Sequence, residues 1–330
     1  MMKVIKSVML LTVAFTVWNG VAAPYVTNVV AKQRYPWGIV DISCEVKGIE
    51  HSTEKYEFSI KGFFVDSCEI KTARYVQFRG FDNFRDTEGL VAHTNGNYRF
   101  VWDVNADIGT VHCTNMIVRV GIYKFYEKVQ LWEGGPYWAT TNIGAEKPED
   151  YGYYFWWGDT VGYRCENDKW VASDESNSNF SFTNSNTPTY GKGISVLQIE
   201  GWLTADGALA PEHDAARRHW GGNWRMPTKS EFDDLISKCD CSWTTMNGVA
   251  GYVVRGRGDY ASNSIFLPYA GLGSGTSLRN TGSAGDYWSS VPDSDYNFAY
   301  GLYFNSGYLG TGYNYRYCGQ SVRPLQGFTK

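Results

Sequence analysis

Between residue 24 and about residue 127 the chain offers no helical period of useful length, and this constrains the fold more than any motif does. Its apolar residues fall in short runs rich in β-branched and aromatic side chains. These are Tyr25-Val-Thr-Asn-Val-Val, Ile39-Val-Asp-Ile-Ser-Cys-Glu-Val, Tyr56-Glu-Phe-Ser-Ile, Tyr98-Arg-Phe-Val-Trp and Met116-Ile-Val-Arg-Val. Most alternate between apolar and polar, the two-residue period of a strand with one buried face. Gly, Asn and Asp clusters separate them. Strand runs punctuated by turn signals over about 100 residues predict a β-sandwich. Residues 23–127 are therefore expected to form an all-β, immunoglobulin-like module that acts as a spacer.

Residues 128–330 carry a different pattern. Thr228-Lys-Ser-Glu231 is a capping box, in which the Thr hydroxyl satisfies the Glu231 amide and the Glu side chain reaches back. Phe232, Leu235, Ile236 and Cys239 follow at helical spacing and make one buried face. A second, weaker helix is expected over Pro211–Trp220. After the turn signal Asn247-Gly248 the chain returns to short strands: Gly251-Tyr-Val-Val-Arg, Ile265-Phe-Leu-Pro, Tyr287-Trp-Ser-Ser, Tyr300-Gly-Leu-Tyr-Phe and Ser321-Val-Arg-Pro. Helices first and strands last predict an α+β domain. The Ser- and Asn-rich stretch Ser173–Thr189 is expected to be loop.

The first 22 residues have the layout of a signal peptide: Lys3 and Lys6, the apolar run Val8–Val17, then small residues at Gly20-Val21-Ala22. Cleavage after Ala22 is expected, giving a secreted or surface protein, with the periplasm as an alternative. No later stretch approaches the roughly 18 uninterrupted apolar residues of a spanning helix, so no transmembrane segment is expected. The seven cysteines predict disulfides with one thiol left over. Cys44 with Cys113 is one candidate pair, since both lie in or beside strand-like runs. Cys239-Asp-Cys241 lacks the spacing of a metal knuckle. A formal charge of -4 without clustering argues against nucleic acid as a partner.

Enzyme signatures are missing. The chain has no His-Glu-x-x-His, no Gly-x-Ser-x-Gly elbow, no phosphate loop and no dinucleotide fingerprint. Gly271, Gly273 and Gly275 precede no helix, and His213 and His219 would point to different faces of one. Asp103-x-Asn105-x-Asp107 and Asp293-x-Asp295-x-Asn297 imitate the opening of a calcium loop. Both lack its Gly at the sixth position, and Thr114 and Phe304 stand where its closing Glu belongs. Both are expected to be turns, and no metal or cofactor is expected.

The chain is 16% aromatic, but from Tyr287 to Tyr317 aromatics are 11 of 31 residues, with Ser, Gly and Asn between them. That mixture matches antibody paratopes, where Tyr gives rigid contact area and Ser, Gly and Asn give adaptable hydrogen bonds. A bare core would not need so many hydroxyls, each wanting a partner when buried. The candidate ligand-binding residues are Tyr296, Tyr300, Tyr303, Tyr308, Tyr313, Tyr315 and Tyr317, with strand alternation expected to turn about half of them inward.

Six motifs occur in order: Tyr137-Trp-Ala-Thr-Thr-Asn-Ile-Gly-Ala, Tyr153-Tyr-Phe-Trp-Trp-Gly-Asp, Gly221-Gly-Asn-Trp-Arg-Met-Pro-Thr, Ile265-Phe-Leu-Pro, Tyr287-Trp-Ser-Ser and Ser321-Val-Arg-Pro. Over residues 129–326 the chain resembles the Fibrobacter succinogenes major paralogous domain family. Gln33-Arg-Tyr-Pro-Trp and Val40-Asp-Ile-Ser resemble sandwich modules placed ahead of formylglycine-enzyme-like domains. The resemblance implies a C-type-lectin-like fold that displays variable loops, with Trp138, Trp156, Trp157 and Trp224 as framework. Glu-Pro-Asn, Gln-Pro-Asp and Trp-Asn-Asp, the sugar triplets of calcium lectins, are absent, so calcium-dependent sugar binding is not implied. Formylglycine-generating enzymes share this broad fold but need a pair of reactive cysteines, and only Cys318 lies in the matching region.

Some members of the lectin-like group are diversified by retroelements that rewrite adenine-containing codons. The resemblance then implies Ala299, Leu302, Phe304, Arg316 and Ser321–Pro324 as framework, with the residues between them changeable. Cys318 would be one base from a Tyr codon. The expected function is a secreted or surface-displayed binding protein, not an enzyme, that presents this face to a glycan or a cell-surface protein. A formylglycine-type oxidase is the alternative and needs Cys239 or Cys241 beside Cys318. A structural surface or matrix protein is the third. Oligomeric state is left open.

Overall fold

A computed structural model describes residues 24–34, 39–50, 54–64, 69–72, 76–80, 91–104 and 115–327, with three short strands ahead of them at Ser7–Leu10, Val17–Trp18 and Val21–Ala22. The chain divides into two compact units, Met1–Phe125 and Tyr126–Lys330.

In the first unit the two-residue period becomes two sheets. One pairs Tyr25–Arg34, Ile39–Lys47, Gly96–Asp103 and Val76–Gly80 in that order. The other runs Ser7–Leu10, Asn115–Lys124, Tyr56–Phe64 and Glu69–Thr72, with Val91–Ala92 also on Tyr56–Phe64. Val40, Ile42, Cys44 and Val46 alternate inward along one strand. They share a core with Phe58, Ile60, Met116 and Val118 of the other sheet, so apolar faces from both sheets close one interior. Asn28, in the left-handed region at φ 49°, marks the bulge where Tyr25–Arg34 slips register.

Ser7–Leu10 pairs in parallel with Asn115–Val118, and the expected cleavage after Ala22 would remove that strand. Cys44 is buried and free, and burial pushes its thiol up to about 12. Cys68 and Cys113 lie outside the described residues, and with them the candidate Cys44–Cys113 pair. No disulfide forms among the described cysteines.

The second unit corrects the expected fold class. Over the described residues of both units strand makes up 48% and helix 11%, and the sheets do not close, so the fold is β-rich and not the expected α+β, C-type-lectin-like arrangement. Its helices are short: Ile194–Ile199, Ala215–Trp220 and Lys229–Lys238. The helix expected from Pro211 begins only at Ala215, because the Asp214 carboxylate accepts from the Arg217 amide and caps it there. Gly221, at φ 68°, ends it after six residues.

The capping box forms as expected, with Glu231 N donating to Thr228 Oγ1 at 3.2 Å and Thr228 N donating to Glu231 Oε2 at 2.8 Å. Asn247 and Gly248, both at positive φ, make the tight turn between Asp240–Met246 and Val249–Arg255. The Ser173–Thr189 stretch is tied down by Phe180 and Phe182, which pack with Tyr163 and Trp170.

Tryptophans fill this interior. Trp138, Trp157, Trp170, Trp224 and Trp288 are fully buried, and Trp156 is half-buried. Trp157 Nε1 donates to Ser289 O at 2.9 Å and Trp288 Nε1 to Phe155 O at 2.7 Å. Arg323 is buried, and among the described residues no carboxylate pairs with it. Its guanidinium donates to Asn142 Oδ1 and to the carbonyls of Ala139, Thr140 and Phe266 at 2.8–3.2 Å. That fork joins segments more than fifty residues apart.

Candidate ligand-binding face

Most of the aromatic segment folds into one antiparallel sheet with an inner strand (Ala284–Pro292), a middle strand (Phe298–Asn305) and an outer strand (Tyr308–Tyr315). Register sets which side chains share a face. Phe298 pairs with Tyr315, Tyr300 with Tyr313, Leu302 with Thr311 and Phe304 with Leu309. The Lys229–Lys238 helix covers only part of this face: its Phe232 and Leu235 pack with Leu302, Phe304 and Leu309. Asp233 accepts from Thr311 Oγ1 at 2.7 Å, and the Lys229 ammonium sits 5.6 Å from the Tyr300 ring, at the helix start. Beyond that start the aromatic row runs on uncovered.

Phe298 is the hub of that row. Its ring lies 4.4 Å from Tyr315 and 5.1 Å from Tyr313. Tyr315 stacks on Tyr317 at 5.1 Å, and Tyr190, from outside the segment, lies 5.5 Å from Tyr317. Tyr313 is 64% exposed, Tyr296 60% and Tyr315 40%. Tyr300 and Tyr317 are half-buried.

Tyr303 and Tyr308 go elsewhere. They lie on the opposite face at the other end of the hairpin, 5.9 Å apart, with Asn305 Nδ2 donating to Tyr303 Oη. Of the seven candidate tyrosines, Tyr313 and Tyr315 contact Phe298, Tyr317 joins through Tyr315 and Tyr300 through its register with Tyr313, while Tyr296 packs against Gly193 and Tyr303 and Tyr308 lie apart. Residues that sequence reasoning missed are Phe298 and Tyr190. Tyr190 stands alone in a polar stretch and gave no local signal.

Arg316 holds the patch in place. It is buried, its guanidinium lies 5.0 Å from the Trp157 ring, and it donates to Phe298 O, Thr189 O, Lys192 O and Asp295 O at 2.7–3.4 Å. Burial lowers its pKa to about 10, opposed by Asp293 and Asp295, so it stays charged at neutral pH. The Asp293–Asn297 run is a pair of side-chain-capped turns, with Asp293 accepting from the Asp295 amide and Asp295 from the Asn297 amide, both at 2.9 Å. Past Val104, the other acidic run lies outside the described residues. Ala299, Leu302, Phe304, Arg316 and Ser321–Pro324, the implied framework, are all buried.

Other candidate chemistry disperses. His213 stacks on Trp202, whereas His219 is half-buried beside Tyr153 and Phe155. Among the described residues no three His, Cys, Asp or Glu converge on a metal position. Cys318 packs in one core cluster, and Cys239 and Cys241 in another. Burial pushes the Cys318 thiol up to about 12, with Asp286 adding to the rise and Arg279 opposing it. A thiol so raised is not a nucleophile at neutral pH.

Asp286 of the inner strand is buried, and its Oδ2 has no hydrogen-bond partner. Burial raises its carboxyl to about 7, opposed by the Asn314 side chain. The folded state therefore holds this proton more tightly than the unfolded chain, whose Asp titrates near about 4. The stability so gained is complete below about pH 4 and is lost as pH rises through about 7. Asp286→Asn, which keeps the shape without the charge, should flatten the fall in unfolding midpoint between pH 4 and 7. An unchanged slope in that variant would exclude Asp286 as its source.

No family model, curated protein or solved structure matches this chain. Among the described residues no helix is long and apolar enough to cross a membrane.

Proposed function

We propose that the chain is a secreted or surface-displayed binding protein, not an enzyme, whose aromatic patch around Phe298 captures a glycan or a cell-surface protein. One observation carries this: Tyr296, Tyr313 and Tyr315 stay exposed on a frame whose buried cation, Arg316, faces inward. Connected aromatic surface left uncovered by the fold is the usual mark of a site that a partner covers. Rigid tyrosines supply most binding energy at such sites, about 2 kcal/mol or more at the strongest positions. The raised Cys318 thiol, apart from Cys239 and Cys241, weighs against the oxidase alternative. The six ordered motifs support membership of the Fibrobacter succinogenes major paralogous domain family, which we propose on sequence grounds alone.

The split between the two tyrosine groups gives the test. The full chain is presented to a glycan array and to a displayed random-peptide library. The Tyr313→Ala/Tyr315→Ala pair should lower binding about a hundredfold, whereas Tyr303→Ala/Tyr308→Ala should leave it within about threefold. Equal losses from both pairs would contradict a site centred on Phe298. Export is tested separately: protein recovered outside the cytoplasm should begin at Ala23, and an intact Met1 there counts against it.

A further inference from the structure

The tyrosine patch does not end at the sheet. Arg316 ties the carbonyls of Thr189 and Lys192 to the middle strand, and Gly191 N donates to Tyr296 O at 3.0 Å. Gly193 is pressed so close to Tyr296 that an added Cβ would lie 3.0 Å from its ring. The Ile194–Ile199 helix starts at that contact and buries Leu197. Its other apolar side chains face solvent: Ile194, Val196 and Ile199, the last 86% exposed and the most exposed large apolar side chain among the described residues. Charges on the helix flank are matched to each other, because Lys192 Nζ pairs with Glu200, which also accepts from Trp202 Nε1 at 3.1 Å. The aromatic patch therefore adjoins this helix at Gly193, and Val196 and Ile199, three residues apart on one side of the helix, make an exposed aliphatic ridge.

The rim of that surface carries an exposed carboxylate, that of Asp295. Asp293 accepts from a backbone amide and also hydrogen-bonds the Tyr300 side chain, whereas Asp295 spends one carboxylate oxygen on an amide. Of the nearby cations, Arg316 is turned inward on carbonyls, Lys192 pairs with Glu200 and Lys229 with Asp233.

We infer that the tyrosine patch and the Ile194–Ile199 helix together dock a protein segment whose contact residues are aliphatic or aromatic, with an arginine or lysine facing Asp295. The inference rests on the binding role of the patch and narrows its ligand class. Sugar rings stack on tyrosine, but their hydroxyls lose water without recompense against Ile194, Val196 and Ile199. Apolar protein side chains bury such a ridge favourably. Arginine meets both remaining features, the carboxylate and the open tyrosine faces.

The probes are a displayed random-peptide library and a glycan array, each presented to the full chain. Enriched peptides should combine apolar residues with Arg or Lys. Ile199→Asp should weaken the best peptide about tenfold or more, with unchanged thermal unfolding. Asp295→Asn should weaken it and flatten its salt dependence, whereas Tyr308→Ala should leave it alone. Peptides that need Tyr315 yet ignore both Ile199 and Asp295 overturn the inference. So does glycan binding that needs Tyr315 when no peptide is enriched, though the binding role of the patch then survives. If nothing bound depends on Tyr315, both proposals fail.

Discussion

Replacing Arg323 with methionine should destabilise the second unit by about 3–5 kcal/mol, a large part of the total stability of a typical domain. The substitution keeps most of the side-chain volume and removes every donor. It leaves Asn142 Oδ1 and the carbonyls of Ala139, Thr140 and Phe266 facing a thioether in a dry interior. Burial lowers the Arg323 pKa to about 10, so the guanidinium is still charged at neutral pH, and its charge meets only neutral acceptors. Arg323→Lys should recover part of the loss, because one ammonium cannot span acceptors spaced for a planar fork. Chemical unfolding of the second unit checks this. A loss below about 1 kcal/mol for Arg323→Met would mean that water or another side chain satisfies those acceptors.

Arg316 should give a different phenotype although it is the same residue type with similar burial. Its acceptors lie in the Thr189–Lys192 segment, the Asp295 turn and the middle strand, the pieces that carry Tyr190, Tyr296 and Phe298. Arg316→Lys should lower peptide or glycan capture about tenfold or more, because the tyrosines lose their common frame. Its stability cost should be smaller, about 1–3 kcal/mol, since the lysine still reaches some of the carbonyls. Binding and unfolding measured on the same preparation separate the two arginines. Equal ratios of binding loss to stability loss would show that Arg316 acts only as core.

Local features of the fold were legible in the sequence because their physics is local. The alternation Val40, Ile42, Cys44, Val46 and the Thr228–Glu231 box each lie within a few residues of chain. The Asn247-Gly248 turn likewise depends only on two residues that tolerate positive φ. The α+β expectation failed because it counted helix signals without weighing their lengths. Asp214 and Gly221 confine one helix to six residues, and the Ile194–Ile199 helix has no side-chain cap and reads as a short β-branched run.

The face was legible in composition but not in outline. Strand parity separates Tyr303 from Tyr300, yet exposure depends on where the Lys229–Lys238 helix begins, which lies more than sixty residues away in sequence. Nothing local to Arg316 announces that carbonyls from three segments converge on it. Tyr190 likewise joins the patch only through that convergence.

The central claim is that the exposed tyrosines serve a partner and not the fold. Its most direct measurement is thermal and chemical unfolding of the Tyr313→Ala/Tyr315→Ala protein beside its binding. The pair has mainly its ring contacts with Phe298 and Tyr317 to lose, so it should cost about 1–2 kcal/mol of stability in total while binding falls about a hundredfold. A stability loss of several kcal/mol, in step with the loss of binding, would contradict the account and return these tyrosines to the core.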